Sequence, residues 1–519
     1  MAYNRKQRLN DNIKAIETAF ILDREQRTPT ARERLLLERY CGFGGLKCIL
    51  NPARELADAV HWAKSDLELF APTVELHRLI RENSKNESEY KQLMDSLKQS
   101  VLTAFYTPSA VTEALTDVLK EHQIIPEKVL EPSAGIGAFV DSVLDNNPKA
   151  DIMAFEKDLL TGKILRHLHP EQKVRIEGFE KIEKPFNDYF DLAISNIPFG
   201  DVAVFDPSYT AMKGMRALVT RRIHNYFFVK ALDTVRDGGL VAFITSQGVL
   251  NAKNNSAARF MMLYHADLVS AIRLPNNLFT ENANTEVGSD LIILQKNSQK
   301  ESLRGDDNLL DTVYNDENRI PTNNYFLEHP ERIIHTTAKL DTDPFGKPAM
   351  IYTHEDGVEG IAEELRKMLN EDFGRNFHLS RYLGEEQTAS WNEVERGQIE
   401  QTQPELEHSE PALATGHTTS WNEVERWPEQ SQSGQTKLGH SKPEQPEPGL
   451  EQGQPKPRYS ESVPSTEQSH HQPPVQMTLF DLWGMEEDNR LKGHATKKKT
   501  AASVGAAATG SAAAKKMPR

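Results

Sequence analysis

Only two cysteines, Cys41 and Cys48, occur in 519 residues. That is too few for a disulfide scaffold or a four-cysteine zinc site, and no metal site is expected. No apolar run approaches the roughly 18 residues of a membrane-spanning helix. The first 30 residues lack the apolar core and cleavage site of a secretion signal. A cytoplasmic chain that avoids membranes is therefore expected. A phosphate loop of the Gly-x-x-x-x-Gly-Lys-Ser/Thr type is absent too, which excludes that class of nucleotide motor. Hydrophobic residues make up 38%, low enough that part of the chain should stay unfolded. Excess positive charge is also missing, with 61 Lys+Arg against 76 Asp+Glu and a net charge of −15. Residues 1–300 nevertheless hold 38 basic and 39 acidic residues, so nearly all the acidity belongs to the remaining 219. A neutral front can still bind nucleic acid through a local patch.

At roughly 150 residues per domain the length allows about three domains. Residues 1–100 have helical patterning, as in Asn12 to Leu22 and Thr30 to Tyr40. Between helices lies Cys41-Gly42-Phe43-Gly44-Gly45-Leu46. It is either a helix stop or a place where backbone closely approaches a ligand or partner. Residues 101–298 alternate strand-like and helical stretches. The strands are expected at 128–131, 151–156, 190–195, 239–244 and 290–294, with helices such as Ser109 to Lys120 and Asn225 to Val235 between them. This pattern predicts an α/β fold, a doubly wound Rossmann-like sheet that binds ligands at the carboxyl ends of its strands. Residues 299–385 are less readable and are expected to form a small accessory or DNA-contact region.

From 386 to 519 the composition cannot bury enough apolar surface to offset chain entropy, so a disordered C-terminal tail is expected. It repeats Ser390-Trp391-Asn392-Glu393-Val394-Glu395-Arg396 at Ser420 to Arg426, either a duplication in a linker or a repeated docking peptide. Its end is basic, with Lys497-Lys498-Lys499 and Lys515-Lys516.

Strand Val129-Leu130-Glu131 runs into Pro132-Ser133-Ala134-Gly135-Ile136-Gly137. A strand feeding a glycine turn and then a helix lets backbone approach a cofactor closely. Glu156 closes the next strand, where a carboxylate can accept hydrogen bonds from both ribose hydroxyls of an adenosine. A dinucleotide fingerprint would place a third glycine at position 140, which is Val140. An adenosine without a pyrophosphate fits better.

The strand Phe190 to Ser195 ends in Asn196-Ile197-Pro198-Phe199-Gly200. Here the chain resembles the S-adenosylmethionine-dependent N6-adenine DNA methyltransferases, whose signature at this strand end is Asp/Asn/Ser-Pro-Pro-aromatic. Phe105-Tyr106-Thr107-Pro108 looks like the element that precedes their first strand, and Glu131 to Gly137 looks like their cofactor loop. The resemblance covers about residues 100–298. The helical front with Gly42 to Leu46, and Arg273-Leu274-Pro275 followed by Phe279, look like a subgroup carried by phages and conjugative elements.

The resemblance implies S-adenosyl-L-methionine as cofactor, DNA as partner and a nucleoid-associated enzyme of a bacterial cell. Cofactor contacts would come from Phe105, Tyr106, Thr107, Pro108, Glu131, Pro132, Ser133, Gly135, Gly137 and Glu156. Phe179 would sit near the cofactor adenine or in the core. Asn196, Ile197, Pro198 and Phe199 would be catalytic. The Asn196 oxygen and the Ile197 carbonyl would accept the two N–H bonds of an adenine amino group. Pro198 would fix the backbone and Phe199 would stack on the extruded base. Ile197 departs from the signature proline, which keeps the main-chain acceptor but loses some rigidity.

Lys213, Arg216, Arg221 and Arg222, with His224, either track DNA phosphates or form a solvated face. Gln476-Met477-Thr478-Leu479-Phe480 resembles the bacterial sliding-clamp peptide, with Gln476, Leu479 and Phe480 as its contacts. Two other functions stay open. One is methyl transfer to another planar amide, such as protein glutamine. The other is a catalytically silent DNA-binding accessory of restriction, anti-restriction or conjugation machinery.

Overall fold

A computed structural model describes residues 4–103, 106–212, 214–280, 286–303, 305, 307–314, 319–343 and 346–384. Phe105, Lys213 and everything beyond Gly384, including the repeat, the 476–480 peptide and the basic end, lie outside the described residues. The front of the chain forms α1 (Arg5–Glu25), α2 (Ala31–Leu37), α3 (Phe70–Glu82) and α4 (Glu87–Thr103). Caps set the first two starts. Asn4 accepts from the Gln7 N–H at 3.0 Å, and Thr30 with Glu33 forms a capping box.

Strands and helices then alternate. α5 (Ser109–Glu121) leads to β1 (Lys128–Glu131), α6 (Ala138–Asn146), β2 (Asp151–Phe155), α7 (Leu159–Leu168), β3 (Lys173–Arg175) and β4 (Phe190–Asn196). The short α8 (Pro207–Thr210) and α9 (Met215–Val219) precede α10 (Ile223–Thr234) and β5 (Val235–Ser246). After them come α11 (Gly248–Asn251), α12 (Ser256–His265), β6 (Ala266–Leu274) and β7 (Ser289–Lys296).

The sheet order is β3-β2-β1-β4-β5-β7-β6. β1 to β5 run parallel, while β7 is antiparallel to both of its neighbours. Strand order therefore reverses between β1 and β4, and the crevice at their carboxyl ends is the natural ligand site. The doubly wound expectation holds. Neither β3 nor β6 was among the expected strand ranges: β3 is only three residues long, and in β6 a register shift between Leu268 and Ser270 breaks the alternation that marks a strand.

The sheet separates two cores. Val111, Leu115 and Val118 of α5 pack with Val129, Ile152, Leu192 and Ile194 on one face. Phe228 and Leu232 of α10 and Met262 of α12 pack with Ala193, Phe243 and Leu294 on the other. A third core joins Ile16, Leu76 and Leu97 of the front helices to Leu160, Ile164 and Leu168 of α7, whose Leu165 faces the first core. Burying one such side chain is worth about 1.5–3 kcal/mol. The front helices and the sheet thus share α7, and the expected boundary near residue 100 is a change of pattern without a gap in packing.

The boundary at 298 needs a firmer correction. A helix over Gly357–Asn376 places Ile361, Leu365, Leu369 and Phe373 in the first core, and Ser270 donates to Asp372 at 2.6 Å. Residues 299–385 are therefore not a separate region, since this long helix completes the cover of the sheet. The intervening stretch forms two hairpins, β8 (Thr312–Tyr314) with β9 (Pro321–Asn323) and β10 (Thr337–Thr342) with β11 (Pro348–Thr353). Among the described residues no helix is long and apolar enough to cross a membrane.

Candidate active site

β1 ends at Glu131 and the chain turns through Pro132–Gly137 into α6. Gly135 and Gly137 have φ of +59° and +94°, a region that side-chain-bearing residues avoid. Hydrogen bonds fix the turn. The Ala134 N–H donates to the Phe155 carbonyl, and the Gly137 N–H to the Ala134 carbonyl, each at 2.8 Å. A Cβ on Gly135 would lie 2.9 Å from the Tyr106 ring. Tyr106 therefore walls the loop, and only bare backbone fits beneath it. Thr107 is buried and Pro108 starts α5.

Glu156 follows β2 and is half-buried. Its Oε1 accepts the Asp158 N–H at 2.7 Å and its Oε2 accepts the Gly135 N–H at 2.8 Å. It thereby ties the glycine loop to the start of α7. Each oxygen keeps a second lone pair, so the carboxylate can still take two hydroxyls. Burial, reinforced by the Asp158 charge, pushes its pKa up to about 8 against the pull of the main-chain N–H donors. Glu131 is also buried, and one of its oxygens lacks a hydrogen-bond partner. Burial first, then Asp141 and Glu156, hold its carboxyl well above the usual range. Close-approach backbone, an aromatic wall and spare carboxyl acceptors fit a nucleoside bearing hydroxyls.

The outer wall of this loop is formed by residues outside the expected set. Asp158 caps α7, accepting from the Thr161 N–H at 2.7 Å and from the Ser96 hydroxyl of α4 at 2.8 Å. The Tyr40 and Tyr106 hydroxyls lie 3.2 and 3.4 Å from the Thr161 Oγ1. Asp158-x-x-Thr161 is readable as a helix cap, but nothing local marks Tyr40. The Cys41–Leu46 turn sets Tyr40 in place. Buried Asn12 donates to the Gly42 carbonyl at 2.6 Å and accepts the Cys41 N–H at 2.9 Å. Phe43 fills the third core. The backbone approach at this turn is to the protein's own interior.

Asn196 ends β4 opposite Ile244, and the preceding Ser195 hydroxyl donates to the Ser133 carbonyl at 3.2 Å. The glycine loop and the Asn196 turn thus abut. The Ile197 N–H donates to the Ile244 carbonyl at 3.0 Å, and its side chain is buried. Proline could not make that bond, so the departure from the family signature exchanges ring rigidity for one more sheet hydrogen bond. Phe199 is partly buried and meets Phe279 edge-to-face, with centroids 6.3 Å apart. Arg273, on the strand leading to Phe279, pairs with fully buried Asp290 at 2.9 Å.

Phe179 and the cation cluster each had two readings in the sequence. Phe179 is a core residue, packed among Phe155, Tyr226 and Phe227 at 5.3–6.4 Å. Two of the described cations are held by neighbouring groups. Arg216 is spent on Asp233 at 2.6 Å, and Arg222 on Asp201 at 2.9 Å and Asn255 at 2.7 Å. His224 is buried, and burial lowers its pKa to about 4, so it is neutral at pH 7. Arg221 is exposed. Among the described residues no cluster of three His, Cys, Asp or Glu could hold a metal ion.

A parallel sheet with one antiparallel strand, a glycine loop after β1 and an Asn-x-Pro-Phe turn after β4 define a Rossmann-like fold of the methyltransferase type. The family model of N-6 DNA methylases matches residues 88–353, and the chain belongs to that family. The defense against restriction protein B of Escherichia phage P1 is 29% identical over 201 residues, covering 38% of this chain and 8% of that protein. The type II methyltransferase M.XamI of Xanthomonas campestris pv. amaranthicola is 25% identical over 173 residues, 31% of this chain and 33% of that one. The chain thus spans a third or less of these relatives. Among solved structures, the methyltransferase subunit of a type I restriction-modification system from Streptococcus thermophilus has 15% identity and a TM-score of 0.34, over 62% of this chain and 69% of that one.

Proposed function

We propose that the chain transfers a methyl group from S-adenosyl-L-methionine to the N6 amino group of adenine in DNA. One observation carries the reading: the Ser195–Ser133 hydrogen bond sets the Asn196 turn against the glycine loop. The cofactor, when bound, supplies a methyl group activated on a sulfonium. The chain's residues do the rest. An adenine amino nitrogen is a poor nucleophile because its lone pair is delocalised into the ring. The Asn196 side-chain oxygen and the Ile197 carbonyl accept its two N–H bonds and hold it toward a tetrahedral shape. The Ile197–Ile244 hydrogen bond and Pro198 fix that carbonyl. Phe199, backed by Phe279, offers a face for the extruded base. Most of the rate gain in this scheme is orientation.

The test is methylation of varied duplexes by purified protein with labelled donor. Label on adenine N6 with wild type, and none with Asn196→Ala, is the expected result. Label on protein glutamine would point to the amide reading, and DNA binding without label to a silent accessory. The 476–480 peptide supports tethering to a sliding clamp. Loss of clamp pull-down on replacing Leu479 and Phe480 is expected, and unchanged pull-down removes that part.

A further inference from the structure

Residues 201–212 and 214–222 lie between the catalytic turn and α10, and their two ends are joined at a neck. Arg222 pairs with Asp201 at 2.9 Å, and the Val204 N–H donates to the Thr220 carbonyl at 2.8 Å. The loop stands on one face of α10. Tyr226, Lys230 and Asp233 recur there at helical spacing, and each grips it. Asp206, 3% exposed, accepts from the Tyr226 hydroxyl at 2.7 Å, from Lys230 at 3.4 Å and from the Ser208 N–H at 2.8 Å. Burial pushes the Asp206 carboxyl up, but Ser208, Tyr226 and Lys230 outweigh it and hold it below its usual range. Asp233 takes Arg216 and the Tyr209 hydroxyl.

On this braced frame sits Phe205, 78% exposed between pinned Val204 and buried Asp206. Val202, Met212, Met215 and Leu218 add apolar surface at 40–47% exposure. An apolar residue held out in water by a buried ionic network on its own neighbours is costly unless something covers it. Phe205 is six residues beyond Phe199, on the loop that leaves the catalytic turn. Extruding a base leaves a gap in the stack, and apolar side chains fill such gaps elsewhere.

We infer that Phe205 is a wedge that enters the duplex and occupies the place vacated by the target adenine. The inference rests on the adenine reading above. It makes Phe205 a positioning residue whose work is to open the base pair, with no part in methyl transfer itself.

The experiment compares full-length wild type, Phe205→Ala and Phe205→Trp on three substrates: a paired duplex, the same duplex with the target adenine opposite an abasic site, and single-stranded DNA. Phe205→Ala is expected to methylate the paired duplex at least about tenfold more slowly, since unstacking costs a few kcal/mol. It should match wild type on the other two substrates, and Phe205→Trp should retain most of the paired rate. Equal rates for Phe205→Ala and wild type on paired DNA overturn the inference while leaving the methyltransferase reading intact. So does an equal loss on all three substrates, which would mean a damaged fold. A change in self-association with unchanged methylation would assign the patch to a second copy and overturn it too. Wild type inactive on every substrate overturns the adenine reading itself.

Discussion

The two loops that follow β1 and β4 are built differently. Around the glycine loop, main-chain N–H groups of Ala134, Gly135 and Gly137 make the contacts, and Glu156 is the main side chain among them. Around residues 201–222, side chains hold the frame, through Asp206, Asp233 and Arg222. A loop tied by its own backbone needs no particular side chain for its hydrogen bonds, because every residue but proline carries the same N–H, although Gly135 and Gly137 themselves leave no room for a Cβ. A loop tied by ionic side chains loses its brace when one partner goes. The first construction suits a small ligand of fixed shape, and the second suits a raised edge presented to a large, stiff one.

The sharpest test of this contrast lies beyond both loops. Asp290→Ala would strand Arg273 in the interior beside Phe326, and breaking such a buried pair costs about 3–5 kcal/mol. A thermal unfolding scan should show it, and an unchanged midpoint would mean Arg273 finds another partner. Asn196→Ala should lower the methylation rate about 100- to 1000-fold, the usual cost of one lost transition-state acceptor or donor, with donor affinity intact by calorimetry. Asp206→Ala should cost about 1–3 kcal/mol in unfolding free energy. It should raise KM for DNA and leave donor affinity unchanged. A matching loss of donor affinity would break the division between the two loops.

The smallest effect concerns pH. The Glu156 pKa, raised to about 8, lies above that of the unfolded chain, so charging this carboxyl costs stability as pH rises through about 8. In the proposed cofactor site, ribose hydroxyls donating to the charged form would reverse that preference. Donor affinity is then expected to fall on acidification below about pH 8, by at most about tenfold per pH unit. Glu156→Gln should flatten the profile. An equally steep profile in that variant would assign the dependence to another group.

The parallel strands other than the three-residue β3, and the Asn196 turn, were legible because apolar runs between turn residues and a strand-end motif are local signals. The strand β6 was not, since its bulge hides the period. The helix over residues 357–376 has a clear apolar face, but a face does not say which core receives it. The cation cluster stayed open between two readings for a related reason. Lys213, Arg216, Arg221 and Arg222 are close in sequence, yet the acids that claim Arg216 and Arg222 are Asp233 and Asp201, one on α10 and the other at the start of the loop. Tyr40 reaches Thr161 across 121 residues, and no pattern in either neighbourhood announces that contact.

α7 is wrapped by hydrophobic side chains from the front helices on one side and by the sheet on the other, with Ser96 completing its cap. A fragment trimmed to the recognisable catalytic stretch would therefore expose Leu160, Ile164 and Leu168 to water and remove a hydrogen bond from Asp158, two residues from Glu156. Shortening the protein in that way would disturb the surroundings of the glycine loop before it touched the Asn196 turn, and a graft of this catalytic stretch onto another carrier would have to bring its first hundred residues along.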